Sequence, residues 1–166
     1  MRRITGAMLL ILGLTSSAWA ETSEGFYIGL IAGTDKIDVN GLEDASGAGL
    51  LAGWNFNKNV ALEFAGNAAD SKADALLAGC VLEIDTMAIY LTGRTDGKFY
   101  TKGRIGVLSE TITPRDTCVF VQERSESGLS VSAGGGMRLG KAALELEYTL
   151  VEADVNRISL SVLYNF

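Results

Sequence analysis

Seven charged side chains stand in segments that otherwise alternate between apolar and polar residues: Glu63, Lys102, Arg104, Arg138, Glu145, Glu147 and Arg157. Gathered into one interior, they could relay protons, gate a narrow pore, or neutralise one another as an ion-pair plug. Three acids against four bases nearly balance, and charges removed from water must be paired, which favours the plug. Nucleophilic catalysis has little to work with. The chain contains no histidine, so a serine nucleophile would need a lysine or carboxylate base, and no motif positions one.

Three further features invite a chemical reading. Cys80 and Cys118 are the two cysteines; in an exported chain such a pair forms a disulfide more often than a metal site, because the compartment is oxidising and no histidine completes a zinc set. Gly47-Ala48-Gly49-Leu50-Leu51-Ala52-Gly53 is glycine-rich, but a strand pattern continues through Trp54-Asn55-Phe56, with no helix to present its N-terminus to a phosphate. Small residues where a narrow wall bends explain it better. Asp35, Asp38, Asn40 and Asp44 could offer oxygens to calcium, yet the closing bidentate acid of a calcium loop is missing, so a solvated acidic loop is expected.

The elements that must position these residues are strands. From Val155 to Phe166, the residues Ile158, Leu160, Val162, Tyr164 and Phe166 share one face, and Arg157, Ser159, Ser161 and Asn165 lie mostly on the other. The same period of two recurs in seven earlier segments, with apolar faces led by Phe26, Leu50, Phe64, Ile89, Ile105, Val131 and Leu146. Strands that are oily outside and polar inside suit a barrel wall in a bilayer, where only helices and closed sheets satisfy the backbone. Eight is an even number, as closure of this type needs. Asn57-Lys58-Asn59, Arg94-Thr95-Asp96-Gly97 and Leu139-Gly140-Lys141 read as short turns. Residues 34–46, 67–81 and 110–125 read as longer polar loops. This asymmetry predicts short turns and both termini on the periplasmic side, with the long loops outside.

Residues 1–20 carry Arg2 and Arg3, an apolar run from Met8 to Leu14, and Ala18-Trp19-Ala20. These are the parts of a cleaved secretory signal peptide, leaving residues 21–166 as one barrel domain. Loss of Arg2 and Arg3 would take the formal charge of −6 to −8, a poor balance for binding nucleic acid. Beyond residue 20 no apolar run is long enough for a membrane helix. Twenty glycines and a single proline, Pro114, suit curved strands.

The start Gly25-Phe26-Tyr27-Ile28-Gly29, the unit Gly53-Trp54-Asn55-Phe56 through Ala61-Leu62-Glu63-Phe64, and the closing Tyr164-Asn165-Phe166 resemble the eight-stranded outer-membrane barrels of the OmpA-like and opacity-protein superfamily. The resemblance implies an all-β, antiparallel, up-and-down transmembrane β-barrel in the bacterial outer membrane. It also implies that Tyr164 and Phe166 form the assembly signal read by the outer-membrane insertion machinery. Enzymes among small barrels of this kind rely on a histidine base, so no enzymatic activity and no cofactor are expected. The function expected is structural or surface-adhesive, through external loops that meet a host or matrix ligand, by a monomer in contact with outer-membrane lipid. A narrow diffusion pore is the main alternative, and a lipid-modifying enzyme the third.

Overall fold

A computed structural model describes residues 24–37, 44–72, 81–114, 124–152 and 155–166. Eight strands follow one another: β1 Gly25–Ile37, β2 Ala45–Asn55, β3 Val60–Lys72, β4 Val81–Arg94, β5 Phe99–Pro114, β6 Arg124–Leu139, β7 Ala142–Glu152 and β8 Val155–Asn165. Each pairs antiparallel with its neighbours, and β1 pairs with β8 from Tyr27↔Asn165 to Ile37↔Val155, closing the barrel. Closure leaves no unpaired edge where all eight ladders overlap, so that part of the backbone can lie in hydrocarbon.

The outward face follows the expected alternation. Phe26, Leu50, Phe64, Ile89, Val107, Val131, Leu146 and Leu160 are all exposed, as lipid-facing residues must be. On β5 the apolar face from Phe99 to Val107 rises roughly 27 Å at ~3.4 Å per residue. A strand tilt of ~40° reduces this to roughly 20 Å, close to the ~25 Å apolar band of such barrels. Aromatic residues gather at the short-turn end, where Phe166 stacks on Phe26 at 5.9 Å and meets the edge of Tyr164 at 5.3 Å. Phe166 N also donates to Phe26 O at 3.1 Å, so the chain's last residue clasps the closing seam.

The short turns have the expected chemistry. Asn57 Oδ1 accepts from Asn59 N and Val60 N at 2.8 and 2.9 Å, and Gly97 and Gly140 take positive φ of 108° and 65°, where a side chain would be strained. The turns are also laced together. Lys58 and Asn59 bond Asp96 at 2.9 and 3.0 Å and hold its carboxyl below the usual range. Asn165 bonds Lys141 O at 3.1 Å.

At the other end the strands outrun the sequence reading. Parts of residues 34–46, 67–81 and 110–125, expected as loops, belong to β1 through β6. The reason is an inversion of polarity. Above Met87 the outward positions become Asp85 and Glu83, and the inward ones Ile84 and Leu82; on β5 the outward ones become Ser109, Thr111 and Thr113 around inward Ile112. Once outside hydrocarbon a wall faces water, so a strand there is polar outside and apolar inside, and the alternation changes phase.

A wall closed by its own hydrogen bonds resists detergent until heated. The purified protein should therefore migrate at different positions in SDS gels unheated and boiled, with strand-dominated circular dichroism before heating. Identical migration would contradict the closed register.

Candidate functional site

An eight-stranded lumen is only wide enough to be filled by its own side chains, and here the filling is ionic in the short-turn half. Glu63 of β3, Glu145 and Glu147 of β7, Arg94 at the end of β4, and Lys102 and Arg104 of β5 meet in one cluster. Glu63 takes Arg94 at 2.5 Å, Arg104 at 3.2 Å and Lys102 at 3.3 Å. Glu145 takes Lys102 at 2.6 Å and Arg94 at 3.0 Å. Glu147 pairs with Arg104 and with Lys102, the latter at 3.4 Å. Glu63 and Glu145 are 0% and 1% exposed, so three carboxylates and three cations neutralise one another away from bulk water.

Glycines let residues from separated strands meet. Tyr27, Gly53 and Glu63 lie in register on β1, β2 and β3, and the Tyr27 hydroxyl donates to Glu63 Oε1 at 2.5 Å across the glycine. Tyr100, Gly136 and Glu145 repeat the arrangement on β5, β6 and β7, with a hydroxyl donation of 2.7 Å. Tyr90, Gly106 and Ser130 form a third row on β4, β5 and β6, bonded at 3.1 Å. A Cβ on Gly53, Gly106 or Gly136 would come within 2.2, 2.7 or 2.5 Å of the tyrosine ring. Each ring therefore lies flat on the wall because its neighbour has no side chain, and a guanidinium covers the other face: Arg94 over Tyr27 at 5.1 Å, Arg104 over Tyr90 at 4.2 Å and Arg138 over Tyr100 at 4.2 Å. Cations are attracted to such faces.

Five of the seven residues read from the sequence converge in this cluster. The other two do not. Arg138 sits at the short-turn rim, where its guanidinium covers Tyr100 and donates to the Thr95 and Gly97 carbonyls at 3.4 and 2.5 Å; strand parity placed it inward, but its position at the end of β6 puts turn carbonyls within reach. Arg157 lies toward the long-loop end and forms a two-point pair with Asp35, at 2.5 and 2.8 Å. Asp35 is thus a buried lumen residue rather than part of a solvated loop. Asp35 and Arg157 are direct partners across the β1–β8 seam. Arg94 and Asp35 were missed because each stands at a strand end beside a turn or loop, where parity is hardest to read. A signal existed for both: each keeps the inward parity of Thr92 and Ile31.

Between the ionic groups the filling is apolar, with Tyr27, Ile31, Leu51, Ala61, Ala143 and Leu163 in one cluster and Ala88, Tyr90 and Leu108 in another. Gly47 and Gly49 also face inward, where a Cβ would lie 2.3 and 2.1 Å from backbone oxygens of β3. The glycine-rich run is accordingly a tight bend of the wall. Among the described residues, the buried side-chain polar atom without a partner is Thr92 Oγ1, and no group of acids or cysteines could hold a metal ion. Cys80 and Cys118 lie outside the described residues.

Glu63→Gln should destabilise the barrel by ~3–5 kcal/mol, the range for breaking a buried pair by removing one partner, read from urea unfolding in lipid vesicles. Gly53→Ala and Gly136→Ala should each cost ~1–3 kcal/mol by overpacking. Gly66→Ala, where a Cβ meets nothing within 4 Å, should stay within ~0.5 kcal/mol. Equal effects at Gly53 and Gly66 would refute the stacking account.

Comparison with known proteins gives the same architecture. No curated protein sequence matches the chain. Among solved structures, Ail, the attachment invasion locus protein of Yersinia pestis, aligns with a TM-score of 0.57 at 17% identity over 88% of this chain and 99% of that one. The N-terminal β-barrel domain of Pseudomonas aeruginosa OprF aligns at 0.57 and 11% identity, over 87% of this chain and 100% of that one. Neisserial surface protein A aligns at 0.55 and 15%, over 86% and 97%. The family model described as an outer membrane protein beta-barrel domain matches residues 6–166. With closure, an oily exterior and a filled lumen already evident, the chain belongs to this family of bacterial outer-membrane β-barrels.

Proposed function

We propose that this protein is a non-conducting outer-membrane barrel whose role is structural or adhesive, exercised at its long-loop end. The observation that supports this reading is the neutral cluster of Glu63, Glu145, Glu147, Arg94, Lys102 and Arg104, which fills the lumen across β3, β4, β5 and β7. An ion crossing it would have to break several charge-assisted bonds at once. Catalysis has no histidine to serve it, so an enzymatic role is not part of the proposal. A surface ligand is known for a protein of this fold, since Ail was solved in complex with the heparin analogue sucrose octasulfate. That ligand is a polyanion and this chain carries a formal charge of −6, so we do not assign it a heparin-like partner.

The same reading includes export by a cleaved signal peptide over residues 1–20, insertion through Tyr164 and Phe166, and a Cys80–Cys118 bridge joining two outer loops. The bridge would lower the entropy that ordering those loops against a partner costs. Mass spectrometry of unreduced envelope protein tests it: free thiols at both positions would remove it.

In planar bilayers the protein should give no discrete conductance steps; steady unitary currents would favour the diffusion pore instead. Phe166 carries both the aromatic clasp and the seam's last backbone bond. Deleting it should lower outer-membrane yield and leave periplasmic aggregates, and unchanged yield at modest expression would count against its assembly role.

A further inference from the structure

The wall is not equally high all round. Strand β6 spans Arg124–Leu139, and its ladder with β5 runs the full height, from Ile112↔Arg124. Its ladder with β7 begins only at Val131↔Leu150, although β7 runs on to Glu152 and pairs there with Val155 of β8 past a register shift. Among the described residues none pairs with Arg124–Gly128 on that side. Half of the backbone N–H and C=O groups of this segment therefore point into a notch above the hairpin.

The notch lies outside hydrocarbon. Leu129, 77% exposed, is the last outward apolar residue of β6, and above it Ser127 and Ser125 face out, bonded to Ser109 and Thr111 of β5 at 3.1 and 3.3 Å. Water satisfies an edge at that level until something better arrives. On the inner side Arg124 and Glu126 pair with each other, leaving no net charge, and a Cβ on Gly128 would meet nothing within 4 Å. Opposite Arg124 on β5, Ile112 packs against Ala45, Ala69 and Ile84. The segment Arg124-Ser125-Glu126-Ser127-Gly128 carries neither proline nor lysine, two residues that commonly blunt exposed edges.

We propose that this edge of β6 docks an extended polypeptide segment of a surface partner, which adds as a further strand with apolar side chains toward Gly128 and polar ones outward. The proposal rests on the adhesive reading above and names its partner's chemistry. The occupant follows from the groups on offer, since an alternating row of backbone donors and acceptors is matched by another extended backbone and by no glycan or lipid headgroup. A second copy in the same membrane does not fit. Copies related by rotation about the membrane normal, with strands tilted by ~40°, cross their β6 edges instead of aligning them.

The test uses the full barrel in lipid nanodiscs and a synthetic peptide of alternating valine and threonine with lysine at each end. Without peptide, alternate amides from Arg124 to Gly128 should exchange freely while those bonded to β5 are protected; saturating peptide should slow the free set by ~10-fold or more. A fully N-methylated peptide should have no effect. Uniform protection before peptide is added, no slowing at saturation, or equal slowing by the methylated peptide would each overturn the proposal. Cell attachment separates it from the reading beneath it. Proline substitutions at Glu126 and Ser127, consecutive residues of β6, fall on opposite edges, and the one that keeps heat-dependent migration leaves β5 pairing intact. If that variant still attaches while deletion of residues 116–122 abolishes attachment, the edge is wrong and adhesion stands; if neither change affects attachment, adhesion itself falls.

Discussion

Closing eight strands into a ring leaves an interior with room for side chains and little else, and the rest of this structure depends on that narrowness. A charge placed inside cannot keep a hydration shell, so it must find an opposite charge within bonding distance. Glu63, Glu145 and Glu147 do so by sharing Arg94, Lys102 and Arg104. Space for the shared partners comes from absent side chains. In each of three rows a tyrosine reaches across a glycine to an acceptor on the strand beyond, so that glycine distribution and charge distribution are one design.

The second constraint is the boundary between hydrocarbon and water. Within the bilayer the wall is apolar outside, and its polar groups point inward. Above it the same strands reverse, with Asp70, Asp85 and Ser109 outward and Ile84 and Ile112 inward. The reversal makes the outer surface of the long-loop half polar around an inner apolar patch of Ala45, Ala69, Ile84 and Ile112, while the short-turn half remains a membrane wall around an ionic plug. The Asp35–Arg157 pair ties the first strand to the last, and Phe26 with Phe166 holds the opposite end of the same seam.

These two halves suit different tasks. The short-turn half, with laced turns and a neutral plug, is built for closure and rigidity. On the adhesive reading proposed above, recognition falls to the other half, where the wall is uneven and its outward groups are hydroxyls and carboxylates able to meet water, headgroups or another chain. Binding residues are commonly carried by such irregular ends of a rigid scaffold.

Strand number, the lipid-facing side of every strand and the short turns were legible along the chain, because a period of two ending in polar turn residues has one economical solution in a bilayer. The same pattern also named five of the six plug residues, since a charge on the inward parity of such a strand has nowhere else to go. Strand length was less legible. Polarity inverts at the membrane surface, so a pattern sought in a single phase breaks off near Met87 and Val107 although the backbone ladder continues. Which charges pair was not legible, because that depends on which strands lie across the lumen: Arg157 meets Asp35 across the seam, Arg138 turns to carbonyls at the rim, and Arg94 joins the plug from a strand end. The roles of Gly53, Gly106 and Gly136 were likewise invisible along the chain. Each is set by the tyrosine one strand over and the acceptor one strand beyond, and that adjacency exists only once the sheet has closed in register.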